Sequence, residues 1–256
     1  MDGPVSKQDL RRDEFGLMVT LGESITAGGW SSSPERCWPS RLAALISDVQ
    51  SEPITLVNSG IGANVISTRS TAYEHSGKPA ASERLDKHVI AHKPDLVTVS
   101  YGLNDARGGT PLDVFVEELE SVVDRIREGC DPVIVLLGPY FIVDFGLGGD
   151  PWSHGSPEIF EAYNQAIADV ATAKGCLFVD LLSAYGGAEW MVHRDGVHAN
   201  DLSHAVLASA VFGALARNCS GLAKHTKDRE QGITRWRDES ALIEDHGYTL
   251  KVVPKP

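Results

Sequence analysis

The chain has 256 residues, 42% of them hydrophobic and 23% charged, a balance that supports one sizeable core and excludes a fibrous or disordered chain. Its 35 acidic residues against 23 basic ones give a net charge of −12, which repels phosphate backbones and anionic lipid surfaces; with no basic run to offset it, nucleic-acid binding is set aside. Met1 to Phe15 is polar and lacks the apolar stretch of a secretory signal, and no later window reaches membrane-spanning length, so the expected compartment is the cytoplasm, without membrane insertion.

In chain order, the first apolar run rich in β-branched residues is Leu17 to Leu21, and a helix is expected from Pro39 to Val49. A second run, Ile54 to Asn58, leads into a long polar loop, Ser67 to Ser82, and then a helix from Glu83 to Ala91. After the run Leu96 to Ser100 comes the clearest helix, Pro111 to Glu128, in which Leu112, Phe115, Val116, Leu119, Val122, Val123 and Ile126 keep the three-and-four spacing of one buried stripe. Thr110 is its expected N-cap, Pro111 its first helical residue and Gly129 its stop. The run Val133 to Leu137 is followed by an aromatic loop, Tyr140 to Ser156, and a helix from Pro157 to Ala173. The last run, Leu177 to Asp180, precedes a helix from Ala199 to Arg217. Continuous apolar runs alternating with helices imply parallel βαβ units with right-handed crossovers and a sheet covered on both faces.

The domain organisation that follows is a single domain over residues 15–219, with an N-terminal extension, 1–14, and a C-terminal one, 220–256. The latter is charge-rich through Glu244, after which Tyr248, Leu250 and Val252 alternate with polar residues as a strand does. It reads as an added edge strand or a homo-oligomer contact, a solvated extension being the open alternative. Cys37, Cys130, Cys176 and Cys219 are scattered with no CxxC spacing, which signals neither zinc nor a redox dithiol.

In an open parallel sheet, reactive groups gather beyond the carboxyl ends of the strands. Four unusual segments stand at such places: Gly22-Glu23-Ser24-Ile25-Thr26 after the first run, Asn58-Ser59-Gly60-Ile61-Gly62 at the end of the second, Gly102-Leu103-Asn104-Asp105 after the third, and Asp195-Gly196-Val197-His198 before the last helix. In this order they resemble the four blocks of the GDSL or SGNH hydrolases, and the resemblance spans Gly22 to His198. It implies a flavodoxin-like αβα sandwich of five parallel strands. It further implies Ser24 as nucleophile, His198 as general base held by Asp195, and an oxyanion hole made by the backbone N–H groups of Ser24 and Gly60 and the side-chain amide of Asn104. The residues depart from the family in Glu23, where aspartate is usual, and in Ala199 after His198, where proline is common.

The physics of the residues points the same way. A serine hydroxyl is nearly inert until an adjacent base takes its proton, and the oxyanion that follows needs donors fixed in advance. Asp195 and His198, three apart, meet on a helical or turn-like segment, leaving the far imidazole nitrogen for Ser24. With a strand order of 2-1-3-4-5, the fifth strand stands about three spacings, roughly 15 Å, from the first. The eighteen residues from Asp180 to His198 cover that several times over at about 3.3 Å each.

The expected reaction is ester hydrolysis through an acyl-enzyme, with no cofactor and no metal, on a small-molecule ester: a short acyl group such as acetate on a carbohydrate or other small alcohol. A lysophospholipase or thioesterase with the same residues, or a catalytically silent carbohydrate-binding protein, is the alternative. Trp30, Tyr140, Phe141 and Trp152 are the expected substrate-binding residues, while covering the core is the competing role for some of them. Gly60-Ile61-Gly62 lacks the third glycine of a dinucleotide fingerprint and follows the wrong strand, and no Walker-type sequence occurs. Asp195, His198, Asp201 and His204 lack HExxH-like metal spacing; His204 reads as a hydrogen-bonded structural residue and His193 and His154 as surface or loop histidines, with His154 within reach of a substrate.

Overall fold

Runs of β-branched apolar residues can bury both faces only in the middle layer of a domain. In the computed structural model, which describes residues 8–232, they form one five-stranded parallel sheet. β1 (Leu17–Gly22) leads through the short α1 (Ser24–Ala27) to α2 (Trp38–Val49) and β2 (Thr55–Gly60). Next come α3 (Tyr73–Ser76), α4 (Ala81–His88), β3 (Leu96–Ser100), α5 (Leu103–Arg107), α6 (Leu112–Gly129) and β4 (Val133–Leu137). The chain continues through α7 (Pro157–Lys174), β5 (Leu177–Val179), α8 (Leu181–Tyr185), α9 (Asp201–Asn218) and α10 (Lys224–Glu230). The strand order is β2-β1-β3-β4-β5. α2 packs with α9, and α6 packs with both α4 and α7, which gives the three-layer αβα sandwich expected from the alternation.

Burial follows position in the sheet. Every residue of the central strands β3 and β4 is buried, whereas β2 and β5, at the edges, are largely half-exposed. β2 starts one residue later than expected and runs on to Gly60, because Ser59 and Gly60 still pair with Leu21 and Gly22 of β1. β5 stops at Val179, since Asp180 caps α8 by accepting the Ser183 N–H at 2.9 Å.

Local signals set the helix ends. Ser156 and Asn200 accept first-turn N–H groups of α7 and α9, and Gly175 ends α7 with φ +62°. α4 begins earlier than expected because the Glu83 carboxylate takes the Ala80 N–H at 2.8 Å. Thr110 does not cap α6: its hydroxyl accepts the Thr71 N–H at 3.1 Å from the 67–82 loop, and Pro111 occupies the N-cap position. Gly129 is the last residue of α6, where a Cβ would lie 2.3 Å from Ile90.

At the far end of the sheet from the site, residues 9–11 run against 218–221, with Leu10 N–H donating to Asn218 and Gly221 N–H to Arg11. Leu222 is buried there and joins the core. The expected strand around Tyr248, Leu250 and Val252 lies outside the described residues. Among the described residues, no single helix is long and apolar enough to cross a membrane.

Candidate active site

The parallel register stacks Gly22, Gly60 and Ser100 at one carboxyl edge, so the loops that follow β1, β2 and β3 converge there. Gly22 has no room for a side chain: a Cβ would stand 2.3 Å from the Thr26 hydroxyl and 3.0 Å from the Ser100 carbonyl. This closeness turns the chain sharply into α1 and leaves Ser24 as its first residue, where a backbone N–H has no intrahelical partner.

Asp195 and His198 meet in a turn rather than a helix. Asp195 Oδ1 accepts the Val197 and His198 N–H groups, both at 3.0 Å, while Oδ2 lies 2.8 Å from His198 Nδ1. Gly196 permits the turn because its φ is +81° and a Cβ would strike Asp144 at 2.6 Å. With Nδ1 facing the carboxylate, His198 Nε2 is left 3.0 Å from Ser24 Oγ. Ser24 is thereby joined with two residues more than 170 positions further along the chain in one series: hydroxyl, imidazole, carboxylate.

The protonation preferences suit this series. Burial alone would raise the Asp195 carboxyl, but the two backbone donors and His198 hold it well below the usual carboxylate range. Burial pushes the His198 imidazole below its ordinary value, against the upward pull of Asp195, and the charge of Arg107 adds to the depression. Trp30 covers one face of the imidazole, the two rings parallel within 2° and 3.4 Å apart. His193 Nδ1 also approaches Asp195 Oδ2, at 3.1 Å, so this residue is a neighbour of the carboxylate rather than a remote loop histidine.

Ser24, Trp30, Asn104 and His198 share a cavity of about 270 Å³ with Gly62 and Ala63. Further walls come from the two long loops: Lys78 from one, Leu147, Gly148 and Trp152 from the other. Arg107, at the end of α5, completes the lining with Val197. Asn104 is buried, and its Nδ2 donates one hydrogen to the Asn64 carbonyl at 3.0 Å, which leaves the second for the cavity.

Gly60 is not at the cavity, which corrects the expected oxyanion donor. Its N–H donates to the Asn58 side chain at 3.0 Å, and the residue is pressed against α1, where a Cβ would be 2.2 Å from the Ala27 nitrogen. Its glycine serves close packing of strand on helix. The backbone that does line the cavity is three residues on, at Ala63, held at φ +53°, with its N–H making no hydrogen bond among the described residues. Nothing in residue type marks this position, because the signal is a backbone conformation.

Two of the four expected substrate contacts are also corrected. Tyr140 is buried beneath the sheet edge, its hydroxyl 2.6 Å from Ser100 Oγ. Phe141 packs on Tyr185 and lines a separate apolar groove with Phe145, Phe160 and Leu182. Trp30 and Trp152 do line the cavity. His154 packs against Gly109, outside it. Asp201 binds Ser32 and Arg36, and His204 accepts the Trp38 N–H, so neither turns toward Asp195 and His198.

Glu23 reaches across to the third block, its carboxyl accepting the Asn104 N–H at 3.1 Å. It is fully buried, and burial, with Asp105 nearby, pushes its carboxyl well above the ordinary range. The longer side chain thus ties the turn bearing Ser24 to the helix bearing Asn104.

The profile of the GDSL-like Lipase/Acylhydrolase family matches residues 20–206. The chain is 26% identical over 119 residues to an arylesterase of Vibrio mimicus, covering 46% of this chain and 52% of that one. It is 25% identical over 171 residues to an acetylxylan esterase of Geobacillus stearothermophilus, covering 61% and 70% respectively. The match thus spans about half the length of the first relative. In fold the chain resembles the lipase/acylhydrolase from Enterococcus faecalis, with a TM-score of 0.62 and 22% identity over 78% of this chain and 95% of that one. A match that takes in all four blocks and most of the sheet places the chain in the GDSL-like lipase/acylhydrolase family of SGNH hydrolases.

Proposed function

We propose that the protein is a serine esterase in which Ser24 is the nucleophile, His198 the general base and acid, and Asp195 the group that fixes the imidazole. The observation that carries this reading is the unbroken hydrogen-bonded series from Ser24 Oγ through His198 to Asp195. His198 Nε2 takes the hydroxyl proton as Oγ attacks the ester carbonyl carbon. The oxyanion is received by the Ser24 N–H, the free hydrogen of Asn104 Nδ2 and the Ala63 N–H. Collapse breaks the ester bond, and His198 returns the proton to the leaving alcohol. A water then gives its proton to His198 and attacks the acyl carbon; the acyl–Oγ bond breaks, the acid leaves, and His198 returns the proton to Ser24 Oγ.

The substrate we propose is an ester with a short acyl group, acetyl first, on a carbohydrate or small alcohol. A cavity of about 270 Å³ walled by two tryptophans is at the small end of ligand sites, which begin near roughly 300 Å³, and supports a short acyl chain over a long one. The acetylxylan esterase among the relatives points in the same direction.

The test is turnover of chromogenic acetate, hexanoate and decanoate esters by the wild-type and Ser24→Ala proteins. We expect activity to fall as the acyl chain lengthens, and Ser24→Ala to lose several orders of magnitude in kcat with its fold retained. Rising activity with chain length favours a lysophospholipase or thioesterase, and turnover unchanged in Ser24→Ala overturns the reading altogether.

A further inference from the structure

The cavity's charge runs against that of the molecule. In a chain with 35 acidic and 23 basic residues, the permanently charged side chains that line the site among the described residues are two cations, Lys78 and Arg107. Arg107 is 5% exposed, yet among the described residues its guanidinium forms no ion pair. One terminal nitrogen donates to the Leu147 carbonyl, and Nε is buried without a partner. A buried cation with an orphaned donor is costly unless something compensates it.

The nearby carboxyl groups are engaged elsewhere. Glu23 accepts the Asn104 N–H and is disposed by burial to keep its proton. Asp195 serves His198 and two backbone N–H groups, and Asp144 accepts the Gly146 N–H. Lys78, also in the lining, is an exposed residue whose Nζ among the described residues reaches only the Gly62 carbonyl, at 2.5 Å. Both cations therefore keep donors that no group among the described residues takes up, and both border the space beside Ser24.

We infer that the ester accepted by this site carries an anionic group, a carboxylate or its equivalent, which Lys78 and Arg107 receive while Ser24 attacks the carbonyl. This rests on the serine-esterase reading above and narrows its substrate class. The anion belongs either to the alcohol half or to the acyl half of the ester. A purely structural Arg107, pinning the 140–156 loop through Leu147, would give no preference between charged and neutral substrates.

Matched esters test it. 4-Acetoxybenzoate and its methyl ester differ only in a carboxylate on the alcohol half; phenyl hydrogen glutarate and phenyl methyl glutarate differ only in one on the acyl half. The quantity measured is the ratio of kcat/KM for the charged over the neutral member of each pair. We expect one pair to show a ratio of roughly ten or more, the size of one charge-assisted contact, and that pair identifies the half. The ratio should fall several-fold in Arg107→Gln and in Lys78→Met, the latter a change at an exposed position that does not threaten folding, and should shrink as salt is raised. Ratios near one in both pairs, or ratios unmoved in both variants, overturn the inference. Neutral esters turned over only when Ser24 is present would then leave the esterase reading standing, whereas no Ser24-dependent hydrolysis of any member would remove both.

Discussion

Asn104 meets two demands with one amide. One hydrogen of Nδ2 ties the side chain to the Asn64 carbonyl and fixes its orientation, which leaves the other for the oxyanion proposed to form in the cavity. Asn104→Ala should lower kcat on an acetate ester by roughly 10² to 10³, with the circular dichroism spectrum unchanged; a loss under tenfold would remove Asn104 from the oxyanion site. His198 makes a second prediction at this scale. Only the neutral imidazole accepts the Ser24 proton, so activity falls as pH drops through the His198 titration. Burial disfavours the imidazolium and lowers that titration from 6.5, so the acid limb of kcat/KM should have its midpoint below the ordinary histidine value. A midpoint at or above that value would contradict the burial argument. Ser24, Asn104, Asp195 and His198 were legible in the sequence because each is a chemically distinctive side chain in a fixed short block. Ala63 was not, since the part proposed for it belongs to a backbone N–H in a left-handed conformation.

Along the seam between α2 and α9, His204 illustrates what an element contact does to a titratable group. It is 1% exposed, and its Nδ1 accepts the Trp38 N–H at 3.2 Å, closing the first turn of α2, so the neutral ring is the one that fits. Burial pushes its pKa down to about 4 from 6.5. The unfolded chain therefore takes up a proton at a higher pH than the folded one, and the contribution to stability is full above 6.5 and lost as pH falls toward 4, by about 3 kcal/mol. His204→Gln should flatten this part of the stability curve, measured by urea unfolding at pH 7 and pH 4.5; the same loss in wild-type and variant would refute it. The helices themselves were largely visible in advance, because a periodic apolar stripe and a stop such as Gly129 are local signals. Thr110 was misread as a cap because a distant loop, through Thr71, claims its hydroxyl.

At the scale of the whole molecule, the parallel register gathers four short blocks at one sheet edge, and the two long loops then decide what else stands there. Lys78 and Trp152 come from those loops, and Tyr140, which belongs to the same loop as Trp152, is instead drawn under the sheet by Ser100. Composition of an aromatic loop cannot separate these fates, since both tryptophan and tyrosine bury well and only the loop's path decides which faces the substrate. The order of strands and helices, the layering and the hydroxyl-imidazole-carboxylate set were already contained in the linear order of residues, for periodicity and compact motifs are short-range properties. Which backbone and aromatic groups wall the cavity and what sign of charge it carries were settled only by folding. Those properties arise where segments dozens of residues apart come within hydrogen-bond reach, and no spacing along the chain encodes that meeting.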